Sequence, residues 1–184
     1  MNIIIEKLKD TDTESLYQFE IENRTFFEDM VPSRGDDYYK YEGFKVRHES
    51  LLDEQVKGLS IFYLIKDEND SILGRINLVD IDESEKIGFL GYRVGQIHTG
   101  KGVAKKALNL LLKKVVELDL KVVKAKTTTN NIASQKVLEQ NGFKHKETSD
   151  KEFEMNGQML EFVNYTWMNK QSFCEDGLEG KSIL

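Results

Sequence analysis

The chain has 184 residues, with 26 Lys plus Arg against 32 Asp plus Glu and a formal charge of −6. Its length fits one domain of about 100–200 residues, and 39% apolar with 32% charged residues is a soluble globular mixture. The lone Cys174 excludes an intramolecular disulfide and a Cys-cluster zinc site, no run nears the ~18 apolar residues of a membrane helix, and the acidic balance argues against nucleic acid. Asn2 to Leu8 reads as a first strand, and its Ile3-Ile4-Ile5 run is too short for a signal peptide. With one cysteine, this predicts a reducing, cytoplasmic setting. Thr11, Asp12 or Thr13 can cap the helix carrying Leu16, Phe19 and Glu20, which breaks near Val31-Pro32-Ser33-Arg34-Gly35. Asp36 to Lys57 is a second helical stretch with an imperfect apolar face. Ile61 to Ile65, Ile72 to Ile81 and Ile87 to Val94 are successive antiparallel strands, the first two joined by the Asp67–Asp70 turn.

The pattern then changes to glycine turn, helix, strand and helix. Apolar residues at 104, 107, 108, 111, 115 and 118 predict one face of a helix over Val103 to Leu118. Val122 to Ala125 is a short buried strand, and Asn131 to Gln140 a helix stopped by Asn141-Gly142. Phe143 onward is a strand, and Asn156-Gly157 is a hairpin turn leading into Leu160 to Met168. The sum is an α+β chain in α/β/α layers, with a mixed, mostly antiparallel sheet. Residues 1–170 form the expected single domain and 171–184 a polar tail.

Gly100-Lys101-Gly102-Val103-Ala104 lies between a strand and a helix. Glycines there allow a tight turn and close backbone approach. The helix that starts at once points free N–H groups and the positive end of its dipole into the turn, which favours phosphate. Lys101, Lys105 and Lys106 add the right charge. The plain alternative is that these glycines only make a turn. A Walker A loop has no frame here. A dinucleotide fingerprint fails because Lys105 takes its last small position and Thr127-Thr128-Thr129 stands where an acid is needed.

A longer frame does match. Gly91-Tyr92-Arg93-Val94, the glycine turn, the helix to Leu118, Asn131-Ile132-Ala133-Ser134, Val137-Leu138-Glu139 and Asn141-Gly142-Phe143 follow in order. This run resembles the GNAT acetyltransferases, and among them the branch holding the ribosomal-protein N-terminal acetyltransferases. The likeness runs from about Ile72 to Trp167. It implies the GNAT acyl-CoA N-acyltransferase fold, acetyl-CoA as cosubstrate, no metal, and transfer of an acetyl group to a primary amine in a ternary complex. A protein N-terminal amine is the first acceptor it implies, then a small amine such as a polyamine, amino acid or antibiotic. A CoA-binding module without catalysis is the rival. No nucleic acid and no membrane enter, and a homo-oligomer stays open.

By this resemblance, the pyrophosphate rests on backbone N–H groups from Gly100 to Ala104, with Lys105 beside them. Thr99 stands where relatives usually carry Gln or Arg, so one side-chain contact is weakened there. Tyr92, Arg93 and Val94 lie on a strand that splays from the Val122 strand, and its free backbone groups pair with the pantetheine amides and polarise the thioester carbonyl. Asn131 hydrogen-bonds the cofactor arm, and Ser134 donates to the departing thiolate. Ordinary helix capping is the other reading of both.

The general base is open. Phe89 stands where relatives often place a Glu, and Glu152 or Glu154 before the last hairpin is the substitute, with Glu152 the catalytic candidate. Glu161 is an acid on the last strand. A solvated carboxylate is the bland reading of each. A free α-amine near pKa 8 is already partly neutral at pH 7. Acceptor recognition falls to Glu22, Arg24, Phe26, Phe27, Glu28 and Asp29, followed by Asp36, Asp37, Tyr38 and Tyr39. That mixed acidic and aromatic stretch would attract an amine, or is a helix junction with core phenylalanines. His48, His98 and His145 lack metal-ligand spacing, and Cys174 has no base nearby in sequence to activate it.

Overall fold

The computed structural model describes residues 2–170. Strand β1 (Ile3–Lys7) pairs antiparallel with β2 (Ile61–Asp67), and β3 (Ile72–Asp82) and β4 (Ile87–Val94) continue as a meander. Between β1 and β2 lie α1 (Thr13–Glu22), α2 (Arg24–Met30) and α3 (Tyr41–Val56). Helix α4 (Val103–Glu117) then carries the chain to β5 (Val122–Thr128), which lies parallel to β4. Helix α5 (Ile132–Gln140) leads to β6 (Lys144–Thr148). A small ribbon of β7 (Phe153–Met155) and β8 (Gln158–Leu160) precedes β9 (Phe162–Met168). The seven-stranded sheet runs β1-β2-β3-β4-β5-β9-β6.

Alternation along the strands sends side chains to two different cores. Ile61, Tyr63 and Ile65 of β2 pack in the cluster that holds Val103, Ala107, Leu108, Leu111, Leu112 and Val115 of α4. Phe62 and Leu64 pack oppositely, with Leu16 and Phe19 of α1, Phe27 of α2 and Phe44 and Leu51 of α3. β2 is therefore buried on both faces, and its five-residue apolar run from Ile61 to Ile65 follows from that. Each fully buried Leu or Ile contributes about 1.5–3 kcal/mol.

Three expectations shift, the first being the helix expected to run on to Val31, which already breaks at Asn23 between α1 and α2. The stretch over Asp36 to Lys57 is not one helix: Asp36–Tyr39 is a 3₁₀ turn, and extended Lys40 separates it from α3. Gly43 permits this, because any side chain there would run into the Asp37 carbonyl. The buried face of α4 takes in Val103 and Leu112, whereas Leu118 is exposed. The Asn156-Gly157 turn forms as expected with both residues at positive φ, and it closes the β7–β8 ribbon instead of a single long hairpin. The polar tail from 171 and Cys174 lie outside the described residues.

Candidate active site

Parallel pairing of β4 with β5 runs from Ile87 opposite Val122 to Leu90 opposite Ala125, and stops there. Beyond that point β4 continues with β3 alone and β5 with β9 alone. The edge of β4 from Gly91 to Val94 is thus left without a strand partner, and a cleft of about 850 Å³ opens in the fork. Gly91, Gly100 and Gly102 line it, and a Cβ placed on any of them would meet nothing within 4 Å. Gly100 and Gly102 have φ of 69° and 76°, a conformation that an L side chain would strain. Gly102 is the N-cap of α4 without a side-chain cap, so the first-turn N–H groups face the cleft unpaired within the helix.

The sequence candidates for this end fall in place around the turn. Thr99, Gly100, Gly102, Val103, Ala104 and Lys105 line the cleft; Lys101 is exposed and outside the lining. Thr99 bonds inward, its Oγ1 donating to the Gln96 carbonyl at 2.7 Å. Asn23, at the α1–α2 junction, accepts from the Gln96 N–H at 2.8 Å and so ties this loop to α1. His98 also lines the cleft, and burial together with the positive charge of Lys101 lowers its pKa.

Asn131 caps α5, its Oδ1 accepting from the Ser134 N–H at 3.0 Å. The capping reading therefore holds for the Asn131 oxygen, and that residue still borders the cleft. Ser134 Oγ does not cap; it lies 2.9 Å from the Tyr92 hydroxyl. This contact joins the free part of β4 to α5 across the fork. Burial pushes the Tyr92 pKa up, against the bond to Ser134, so the phenol stays neutral near pH 7.

Tyr92 and Val94 share one face of β4, and Gly91 and Arg93 the other. Arg93 is turned to the side of α1 and α2, where its Nη1 donates to Glu20 Oε2 at 3.0 Å and its guanidinium lies 4.7 Å from the centre of the Phe27 ring. Its side chain is thereby committed away from the turn. Glu20 is fully buried and also accepts from Arg75 at 2.9 Å. Burial drives the Glu20 pKa up, but Arg75, Arg93 and Arg34 together outweigh it and hold the carboxyl below its ordinary value. Arg75 in turn donates to the Tyr38 hydroxyl at 3.3 Å.

No Asp or Glu lines the cleft among the described residues. Glu152 and Glu154 are exposed at the β7–β8 ribbon, and with Glu161 they lie outside the lining. The ribbon carries them off because Asn156 at its tip donates to the Glu28 and Asp29 carbonyls of α2, both at 3.3 Å. The expected acidic acceptor wall is not assembled either. Arg24 pairs with Glu28 and Asp36, and Lys40 with Asp37, all outside the cleft. Phe26 and Phe27 do line it, with Met30, Val31 and Pro32. Sequence reasoning missed Arg34, Asn77, Lys126 and Lys136, which also line it. Strand alternation alone could have paired Lys126 with Lys124; nothing local marked Arg34.

Among the described residues no cluster of His, Cys, Asp or Glu is arranged to hold a metal, and no helix is long and apolar enough to cross a membrane. Residues 2–144 match the family model of the acetyltransferase (GNAT) domain. A probable N-acetyltransferase, YjcK, of Bacillus subtilis (strain 168) is 31% identical over 161 residues, spanning 84% of this chain and 87% of that protein. The fold is also that of a ribosomal-protein-S5-alanine acetyltransferase from Vibrio fischeri, with a TM-score of 0.84 at 22% identity, covering 92% of this chain and 94% of that one. RimL, a ribosomal L7/L12 alpha-N-protein acetyltransferase in complex with coenzyme A, gives 0.83 at 18% identity, covering 91% and 94%. At such identities these two structures share the fold alone. Because the family model covers more than half of its length, the chain belongs to the GNAT family of N-acetyltransferases.

Proposed function

We propose that residues 1–170 act as one catalytic domain in the cytoplasm, transferring the acetyl group of acetyl-CoA to a free α-amine, that of a protein N-terminus first. The observation that carries this reading is the fork between β4 and β5, opening directly onto the Gly100–Ala104 turn at the head of α4. The empty space before Gly91, Gly100 and Gly102 suits a phosphate and a slender arm held by backbone groups. When bound, acetyl-CoA supplies the activated thioester. The N–H groups of Gly102, Val103 and Ala104, with Lys105, hold its pyrophosphate. The unpaired edge of β4 from Gly91 to Val94 pairs with the arm and polarises the carbonyl. Asn131 holds the arm from the other wall, and Ser134, its hydroxyl fixed by Tyr92, donates to the departing sulfur. The acceptor amine attacks directly, with no acyl-enzyme.

The absence of a carboxylate from the described cleft wall supports a second reading, a CoA-binding module without catalysis. Thiol release decides between them. The protein is incubated with acetyl-CoA and peptides bearing free or blocked N-termini, and released thiol and peptide mass are followed. Thiol release with a mass gain confined to the free amine supports the transferase. Tight acetyl-CoA binding with no release above background makes it a module. Thermal stabilisation by ATP or NAD and none by CoA refutes both.

A further inference from the structure

One side of the cleft is the face of the sheet toward α1 and α2, where Gly91 leaves open space. Alternation puts Arg75 and Asn77 of β3, Gly91 and Arg93 of β4, and Lys126 and Thr128 of β5 on this face. The stacking of Lys124 over Phe89 and of Lys126 over Phe162, at 5.7 and 4.2 Å, agrees with that alternation. Arg34 enters from the segment after α2, and its guanidinium lies 4.8 Å from the centre of the Tyr38 ring. Arg34, Arg93 and Lys126 line the cleft, and Arg75 lies beneath. Among the described residues the one carboxylate bonded to this group is Glu20, already shared by Arg75 and Arg93. Arg34 and Lys126 make no ion pair among the described residues. The protein carries −6 overall, so this local excess of positive charge runs against the rest of the surface.

Loss of hydration and the neighbouring Arg93 and Arg75 lower the pKa of Arg34; a guanidinium nonetheless stays protonated. Hemmed in by like charges, it shares the field of Glu20 with Arg75 and Arg93 and has no carboxylate of its own in contact. A second unmet group points the same way. Asn77 Oδ1 is buried in the cleft wall without a hydrogen-bond partner. It can accept from an amine N–H without adding charge.

We propose that this face is an anion subsite, and that the preferred acceptor is a primary amine with a carboxylate or phosphate close to its nitrogen. A protein N-terminus with an acidic residue in its first two positions meets that description. Asn77 holds the amine, and Arg34 with Lys126 holds the anion. The α-amine, with a pKa of about 8, is already partly neutral at pH 7. Deprotonation then proceeds to water with no carboxylate base in the wall, and the neutral nitrogen attacks the thioester. A polyamine, all cation, is repelled.

This inference rests on the acetyltransferase reading, and two measurements separate their fates. In the first, kcat/KM is compared for peptides beginning with Asp, Glu, phosphoserine, Ala or Lys, for free glutamate, and for spermidine. The acidic peptides should exceed the Lys peptide and spermidine at least tenfold, and free glutamate against Glu-starting peptide tells whether a chain is needed. R34Q should lower kcat/KM for the acidic peptides about tenfold more than for the Ala peptide, and R34K should restore most of it. Equal loss across the panel, a preference for Lys or spermidine, or a rise in the KM for acetyl-CoA alone would overturn the subsite. In the second, the Asp-starting peptide is titrated calorimetrically into the protein saturated with CoA. Binding that weakens about tenfold in R34Q upholds the subsite even where no acetyl transfer is seen, and that outcome sinks only the transferase reading. Equal binding of Asp and Lys peptides overturns the subsite whatever the activity.

Discussion

Glu20→Gln removes one charge and almost no volume, so it isolates the electrostatics of the buried cluster. The carboxylate, fully buried on α1, receives Arg75 at 2.9 Å and Arg93 at 3.0 Å from two adjacent strands. Removing one member of a buried ion pair costs about 3–5 kcal/mol, because the remaining charge is left uncompensated. Here two guanidiniums are left, with Arg34 nearby. The amide keeps one acceptor oxygen, which places the cost near the lower bound, about 3 kcal/mol. For a chain of this size each kcal/mol moves Tm by roughly 2–4 °C, so Tm should fall by about 6–12 °C. Calorimetry or circular dichroism at pH 7 measures it. Adding Arg93→Gln to the variant should recover part of the loss, since it deletes one orphaned cation. The pH dependence carries its own sign. The folded Glu20 pKa lies below its ordinary 4.5, so the unfolded chain binds this proton first. Its stabilisation is complete above about pH 4.5 and is lost as pH falls through the folded value. The Tm gap between wild type and Glu20→Gln should therefore close below pH 4.5. A Tm drop under about 2 °C at pH 7, or a gap that widens in acid, would refute the reasoning.

Gly102→Val puts a branched side chain at φ 76° in front of the turn; the KM for acetyl-CoA should rise at least about tenfold, and an unchanged KM would mean that the turn is not the cradle. Ser134→Ala should lower kcat by about a hundredfold with little change in acetyl-CoA binding. Tyr92→Phe, which leaves the Ser134 hydroxyl unanchored, should lower kcat less, and normal turnover in Ser134→Ala would leave that residue only its place in the cleft wall. Asn131→Ala loses the α5 cap, worth about 1 kcal/mol; a rise in the acetyl-CoA KM beyond what unfolding explains is the mark of a contact with the cofactor arm, and its absence reduces Asn131 to a cap.

Much of the fold was legible because its signals are local. The 3.6-residue spacing of α4, the Asn156-Gly157 turn, and the glycines before α4 all act within one element, where a few dihedrals decide the outcome. The Gly100–Ala104 turn was legible for the same reason, since only glycine accepts those φ values at little cost. Asn131 and Ser134 both line the cleft; residue type alone favoured capping for them and the family frame favoured cofactor contact, and the structure supplies the cap for Asn131. Less legible was the helix over Asp36–Lys57: its break at Lys40 is set by how closely the 3₁₀ turn packs onto Gly43, a contact that periodicity does not encode.

The charge of the cleft wall was not legible at all. Along the chain, Glu22, Glu28, Asp29, Asp36 and Asp37 crowd together and read as an acidic lining for a cationic acceptor. Folding neutralises several of them on Arg24 and Lys40 at the surface and brings Arg34, Arg93 and Lys126 to the cleft from three separate segments, with Arg75 beneath. The sequence by itself determined the elements, the glycine turn and the family frame, because backbone sterics and helical periodicity are short-range. Only the tertiary structure decided where β4 leaves β5, which hydroxyl meets Ser134, and which sign of charge lines the cleft. Those depend on pairings such as Glu20 with Arg75 and Arg93, tens of residues apart, whose energy arises only once both partners leave water.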